Sequence, residues 1–517
     1  MLAEAVARHQ QGRLADAETL YRQVIDARPD DAAALGNLGV ALRGQGKCRE
    51  AIICCRRALS VEPMKAGLHF NLGNALKDLG DPGGAVDAFR RALEIDPGYV
   101  EALNNLGDAL SALNRPDEAV DCFERALAID PRRADILNNL GNALKDSGRA
   151  SQAVDCFRRA LEFAPAVTKT LNNQGNTFLE LGRTEEAENC FRRSLSIDPD
   201  NAEAHCLLSF VLLDKGELAP GWAENEWRWR LEDYLPKIRH FPFPAWDGSP
   251  LKGKSILLWS EQGIGDEVCF SGMVADVIAM GARCAIECEP RLVGLFARSF
   301  PAADVHARPF RRAETGGEAF DYQLPMGNLH RFFRASLADF PERRSFLVVD
   351  RGKRKRWQKR LSALGRGPKV GLSWRSGLMT STRRLYFARI EDMGPLLGRD
   401  GTIFVNLQYD ECSAEIAEAG ERFGATIHTW DDADLMNDID GGAALTSCLD
   451  AVVTPITSVY EISGALGIPT HAFHPFKKCD VSFGSGGVPY YPSVRLYRQK
   501  AHGDWGGVFE DIAGNLP

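Results

Sequence analysis

Residues 33–63 read AALGNLGVALRGQGKCREAIICCRRALSVEP, and they decide the fold of the first half of the chain. Leu35, Leu38 and Leu42 recur at helical spacing and give a first helix one apolar face. Gly46 ends that helix, because glycine accepts left-handed dihedrals. A second helix brings the small Ala51 against the first, and Pro63 stops the pair. Working outward, each landmark returns every 34 residues. Pro29, Pro63, Pro97, Pro131, Pro165 and Pro199 are in phase, as are Ala17, Ala51, Ala85, Ala119, Ala153 and Ala187. Gly12, Gly46, Gly80, Gly148, Gly182 and Gly216 form a third column, with Asn114 filling its gap. Phe89, Phe123, Phe157 and Phe191 form a fourth, preceded by Tyr21 and Cys55.

A single helix pair cannot bury its own apolar face, so the pairs stack into a superhelix with a concave groove. The pattern resembles the tetratricopeptide repeat (TPR), with about six repeats over residues 1–217. Asn37, Asn71, Asn105, Asn139 and Asn173 occupy one position of the first helices, and Asn74, Asn142 and Asn176 sit three residues further on. Helix propensity does not account for this column, since Asn is a mediocre helix former. Its amide offers two donors and an acceptor. The column resembles the asparagine ladder in the TPR region of the eukaryotic O-linked N-acetylglucosamine transferase. Two readings follow: amides that grip the backbone of an extended peptide, or a packing residue of the repeat.

After Gly216 the register fails. Residues 218–250 carry Trp222, Trp227, Trp229 and Trp246 among several prolines and read as a capping helix and an aromatic-pinned linker. From Lys254 the periodicity changes. SILLW is a buried-strand run, SEQGIGDE a Gly-rich turn, VCFSGMVADVIAMG a helix and ARCAIEC a second strand. The order begins again with KVGLSW (369–374), TIFVNLQ (402–408), DAVVTP (450–455) and THAFH (470–474). Strands alternating with helices imply parallel sheets, here as two Rossmann-like halves, 251–360 and 361–517, joined by the basic helix RGKRKRWQKR.

The segments WDGSPLKGKSILLWSEQGIGDE, VGLSWRSG, VNLQ, TSVYEISGALGIPTHAF and YYPSVRLYRQ occur in an order that resembles a bacterial family of TPR-coupled glycosyltransferases. The second half of its members is similar to the ADP-heptose lipopolysaccharide heptosyltransferases of GT-B fold. The nearest resemblance is to TPR-containing protein, and flagellin, glycosyltransferases. It implies an inverting, metal-independent transfer from a nucleotide sugar to Ser or Thr of a protein held in the TPR groove, flagellin being one such acceptor. Two other classes remain open: a non-catalytic TPR adaptor with a degenerate second half, and a transferase acting on lipopolysaccharide or lipid-linked sugar.

Such a transfer needs a base near the acceptor, and Asp266 ends Gly263-Ile264-Gly265-Asp266 where the first strand turns into its helix. The resemblance makes this aspartate the base; the alternative is a helix cap. Glu261, Gln262 and Glu267 belong to the same turn, and the two glutamates are reserve bases. A leaving phosphate calls for cations and helix N-termini. Arg375, Arg383, Arg384, Thr457 and Ser458 fall on one predicted sheet edge, with Gln408 closing the next strand. The alternative makes the hydroxyls caps and the arginines surface charge. Members of the resembling family commonly read Asp-Thr and then His where this chain reads Ile456-Thr457 and Glu461, which leaves the donor and the activity of the site open. Asp432-Ala433-Asp434 and Asp438-Ile439-Asp440 formally match the metal-binding DxD of another transferase fold but read as caps and solvated loops, so no metal and no cofactor is expected.

The 517 residues are 44% hydrophobic and 26% charged, an ordinary globular composition. A net charge of -8 lacks the basic footprint of a nucleic-acid-coating protein. No apolar run approaches the ~20 residues of a membrane span, and MLAEAVARHQ lacks the apolar core of a signal peptide, so a cytoplasmic protein is expected. Four of the 13 cysteines (Cys54, Cys122, Cys156 and Cys190) share one repeat position and read as small buried residues.

Overall fold

The computed structural model describes residues 1–309, 320–377, 387–475, 482–499 and 503–517 and forms two compact units, Met1–Asp198 and Pro199–Pro517. The first unit is six antiparallel helix pairs, from Leu2–Gln10 with Leu14–Ala27 to Thr168–Glu180 with Thr184–Ile197. The glycine column does what its spacing requires. Gly12, Gly46, Gly80, Gly148 and Gly182 have φ between 72° and 85°, and Asn114 takes the same left-handed turn at φ 58°.

The phenylalanine column is explained by a second glycine column. Phe89, Phe123, Phe157 and Phe191 are buried, and a Cβ on Gly73, Gly107, Gly141 or Gly175 would stand 2.6 Å or less from the corresponding ring. Each first helix therefore gives up a side chain so that the ring of its partner helix can lie against its backbone. The second repeat packs Cys55 against Gly39 by the same rule, with Sγ 2.8 Å from an added Cβ.

The helix pair Ala202–Asp214 and Leu218–Asn225 keeps the repeat register, with Gly216 at φ 78°. It belongs to the second compact unit, Pro199–Pro517. Buried Leu213, Leu218 and Trp222 cluster with Phe483, which ties the pair to the α/β part of that unit. The tryptophans pin the following segment: Trp222 stacks on His330, Trp227 on His205, Trp229 tilts against Trp259 and Trp246 against Phe332.

The rest of the second unit holds two sheets. The first contains β1 (Ser255–Trp259), β2 (Arg283–Cys288), β3 (Ala303–Ala307) and β4 (Tyr322–Pro325) in the order β3-β2-β1-β4, all parallel. The second contains β5 (Lys369–Leu372), β6 (Ile403–Asn406), β7 (Ile427–His428), β8 (Ala451–Pro455), β9 (Thr470–His474) and β10 (Val494–Arg498). Its order is β10-β9-β8-β5-β6-β7, again parallel. Counted from its own first strand this is the doubly wound order 3-2-1-4-5-6. In each sheet the winding reverses beside the first strand, between β1 and β4 and between β5 and β8. Ligands of such sheets bind at the carboxyl ends of the strands where this reversal opens a crevice.

The basic stretch forms the helix Arg351–Ser362, with Trp357 and Leu361 buried against the sheet side. Its charges meet the formal DxD segments: Lys353 pairs with Asp438 at 2.6 Å and Arg360 with Asp432 at 2.5 Å. Asp434 accepts from the Asn437 amide, and Asp438 caps the helix Ile439–Thr446 through the Gly441 amide. These carboxylates act as ion-pair and capping groups.

Candidate functional site

Two loops at the reversal points meet. The first leaves β1 at Ser260 and enters the helix Ile264–Ser271. The second leaves β8 and enters the helix Ser458–Ala465. The first turns of these helices pack together: a Cβ on Gly265 would lie 3.6 Å from Ser458 Cα and 3.4 Å from Glu461 Cγ. Neither Gly263 nor Gly265 has a positive φ. Their use is close approach, here of one helix to the other.

This contact forms a wall between two cavities. A cavity of about 560 Å³ is bounded by Gly265 and Ser458 with Ile456, Thr457, Tyr409 and Arg291. Another of about 260 Å³ is bounded by Asp266 and Glu461 with Gln262, Trp222, His330 and Tyr490. The larger one lies beside the ends of β5 and β8, where a doubly wound sheet places its ligand. The amide end of helix Ser458–Ala465 borders it, a position suited to an anionic group.

Asp266 is open to the smaller cavity yet has protein on most sides, and this desolvation raises its carboxyl above the usual aspartate range. One oxygen accepts from the Gly263 amide at 3.3 Å. Capping and facing the cavity are thus both true of it. Glu461 lies on the same cavity, and burial pushes its carboxyl up to about 8, the Tyr491 hydroxyl opposing the shift and the Asp266 charge adding to it. The Tyr491 hydroxyl donates to Glu461 Oε2 at 2.6 Å. The sequence placed Glu461 with the donor; the structure brings it to Asp266.

The other expected residues separate. Thr457 and Ser458 border the larger cavity as expected from their position. Arg375 does not present its charge there. Its guanidinium is held by Glu415 at 2.6 Å, by Asp410 and by the Glu411 carbonyl. Gln408 is buried and occupied: its oxygen accepts from Ser373 Oγ and the Trp374 amide, and its nitrogen donates to the Arg375 carbonyl and to Asp410. It shapes the loop after β5 from within. Arg383 and Arg384 lie outside the described residues.

Glu261 is fully buried and pairs with Arg228 at 3.3 Å, also accepting from the Gly327 amide; burial pushes its carboxyl up to about 7. Glu267 is likewise pushed up to about 7 by burial and accepts from the Glu289 amide. Neither borders the smaller cavity as Asp266 does.

Sequence reasoning missed Arg228, His330 and Tyr490. His330 is buried and its pKa is driven down to about 3, so it is neutral; its Nδ1–H donates to the Gly327 carbonyl, leaving Nε2 as an acceptor. The Tyr490 hydroxyl is buried and has no hydrogen-bond partner among the described residues. The doublet Tyr490-Tyr491 opened the segment YYPSVRLYRQ, but nothing local said that it would reach the turn after β1.

In the first unit the asparagines bond to one another. Asn105 donates to Asn74 at 2.7 Å, Asn139 to Asn104 and Asp108 at 3.1 Å each, and Asn173 to Asn138 at 2.9 Å. Asn104 and Asn138 in turn donate to Asn105 and Asn139. This amide chain staples successive repeats; Asn74 and Asn138 are buried within it, while Asn105, Asn139 and Asn173 stay half-buried and keep part of their amides toward solvent. We expect Asn139→Ala to lower the unfolding free energy of residues 1–198 by about 1–3 kcal/mol, because Asn104 and Asp108 lose their donor. Urea denaturation reads this directly, and unchanged stability would show that the staple contributes nothing.

Among the described residues no helix is long and apolar enough to cross a membrane. Comparison with known proteins matches residues 2–52 to one family model of the tetratricopeptide repeat and residues 66–132, 102–166 and 132–200 to another. The chain is 33% identical over 326 residues to Protein FlbA of Caulobacter vibrioides, covering 59% of this chain and 54% of that protein. It therefore spans about half the length of that curated relative. Solved structures similar to the repeat unit include YrrB, described as a TPR protein with an unusual peptide-binding site, at 22% identity over 36% of this chain and 95% of that one, with a TM-score of 0.32. Pseudomonas aeruginosa pilF is 20% identical over 41% of this chain and 97% of its own, with a TM-score of 0.36. The repeat matches and the helix pairs of Met1–Asp198 together make the first unit a tetratricopeptide-repeat solenoid, a fold that presents a surface to polypeptides.

Proposed function

We propose that this chain is a protein O-glycosyltransferase of GT-B arrangement. The repeat unit holds the polypeptide acceptor, the larger cavity of the second unit takes the nucleotide sugar, and Asp266 removes the proton of the acceptor hydroxyl. The observation that carries this reading is the shared wall: a helix N-terminus suited to a diphosphate on one side and a desolvated carboxylate on the other. The anomeric carbon would lie at that wall, with the acceptor Ser or Thr in the smaller cavity. Deprotonation, attack and phosphate departure would then use groups from both sheets and need no metal. Flagellin is the first acceptor to test.

A second reading, a ligand-binding adaptor, is favoured by one fact. Arg375, the cation expected at the phosphates, is neutralised by Glu415 and Asp410.

Thermal unfolding of the full chain with UDP, GDP, ADP or CMP tests the cavity. At about 100 times its Kd one nucleotide should add about 2.7 kcal/mol of stability. No response to any of the four would remove the nucleotide assignment. A response without sugar turnover would select the adaptor.

A further inference from the structure

We propose that Asp266 and Glu461 form a carboxylate pair holding a single proton, with the proton on Glu461 beneath the Tyr491 hydroxyl and the charge on Asp266. Its catalytic meaning rests on the transferase reading, but its existence does not.

The first turns of helices Ile264–Ser271 and Ser458–Ala465 place both carboxyls on one cavity of about 260 Å³. With both facing one cavity, the charge of Asp266 raises the cost of ionising Glu461. The partners decide which one keeps the proton. Glu461 meets Tyr491, at 2.6 Å, and the nearby groups that influence it or are influenced by it are Asp266, Cys269 and Tyr490. Cys269, Tyr490 and Tyr491 are all held neutral by burial, which raises each of them well above its ordinary range. Arg334, the cation felt by Cys269 and Tyr490, is tied to Asp276 at 2.8 Å. Desolvation raises Asp266 as well, but it is the more exposed of the two, and the Gly263 amide and the field of Lys237 oppose the shift. Burial raises Glu461 to about 8, which agrees with this assignment.

In the transfer, the acceptor hydroxyl would give its proton to Asp266 as its oxygen bonds to the anomeric carbon. The bond from that carbon to the phosphate oxygen breaks, and the nucleotide leaves with the electron pair. The pair then holds two protons, and Asp266 returns one to water. Glu461 is a positioning residue here: while neutral it leaves Asp266 as the single anion and adds no repulsion to the departing phosphate.

The test needs no substrate. Infrared spectra of the full-length protein, titrated from about pH 5 to about pH 9, read the carbonyl stretch of a protonated carboxylic acid. Glu261 and Glu267, raised to about 7, contribute bands in the same range, so the reading is the wild-type minus Glu461→Gln difference, which should show one band lost with a midpoint near 8. The midpoint should fall in Asp266→Asn, which removes the like charge, and rise in Tyr491→Phe, which removes a donor to the ionised form. Stability follows the same sign. The group is raised from its ordinary 4.5, so its contribution is intact below that value and is lost as pH rises through about 8. Glu461→Gln should abolish that loss. A Glu461 that is already ionised at neutral pH, or a band unchanged in Glu461→Gln, overturns the pair. A confirmed pair in a protein that turns over no nucleotide sugar leaves the pair standing and sinks the transferase reading.

Discussion

Asp266→Asn is expected to lower sugar transfer by roughly 10²–10⁴-fold, the usual worth of a positioned general base. The substitution keeps the shape of the side chain and an oxygen to accept from the Gly263 amide, so the helix Ile264–Ser271 retains its cap. What it loses is the ability to take a proton. Desolvation raises the Asp266 carboxyl, which makes it a stronger base than an aspartate surrounded by water, and its open side toward the cavity leaves it within reach of an acceptor. The fall should appear in kcat, with donor affinity unchanged, because the larger cavity is bounded by Gly265 and not by the Asp266 carboxyl. Near-wild-type transfer by the folded variant would take Asp266 out of the base role and leave it as a cap.

The other large effect is structural. Phe123→Ala is expected to lower the stability of residues 1–198 by about 3–5 kcal/mol, since the ring is fully buried and its site is framed by helix backbone that cannot collapse. Gly107→Ala should cost about 1–3 kcal/mol for the opposite reason, because the new Cβ would stand 2.5 Å from the end of that ring. The two changes share one volume. The double variant should therefore cost clearly less than the sum of the singles, and a double-mutant cycle in urea measures the coupling. Additive costs would mean that the glycine and phenylalanine columns recur for unrelated reasons. The natural Gly39–Cys55 pairing shows that the slot accepts a smaller partner when the neighbouring repeats are intact.

Much of the fold was legible because it is written in short-range chemistry. Six in-phase glycines announced left-handed turns, and the turns are there. SILLW, KVGLSW and DAVVTP are apolar runs bounded by turn residues, and they form central strands of their sheets. The missed strands were β3, β4, β7 and β10. The residues of β3 are only partly covered, and β7 has just two residues, so neither carries a continuous apolar run. The helix expected over VCFSGMVADVIAMG is two, Ile264–Ser271 and Val274–Ala279, interrupted at Gly272-Met273.

The site was legible only as far as strand ends could place it. Asp266, Thr457 and Ser458 follow strands at reversal points of the sheets, so their position pointed to a cavity edge, while their roles came from the family resemblance. Arg375 and Gln408 also follow strands, but the acids at 410 and 415 that capture the arginine lie some 35–40 residues away in sequence, beyond any local pattern. The same holds for Glu461, whose partners Tyr491 and Asp266 come from different elements. The asparagine column was visible, but its mutual hydrogen bonds depend on the stacking of successive repeats.

Turnover of a nucleotide sugar at the wall between the cavities bounded by Gly265 and by Asp266 is the core of the proposed function. The most direct measurement is release of free nucleotide from a panel of UDP-, GDP-, ADP- and CMP-sugars, comparing the wild-type chain with Asp266→Asn and reading the mass of flagellin present in the mixture. The account predicts turnover of one donor class, a sugar-sized mass gain on the polypeptide, and loss of both by roughly 10²-fold or more in the variant. Nucleotide bound but never released, with polypeptide mass unchanged in wild type, would contradict it.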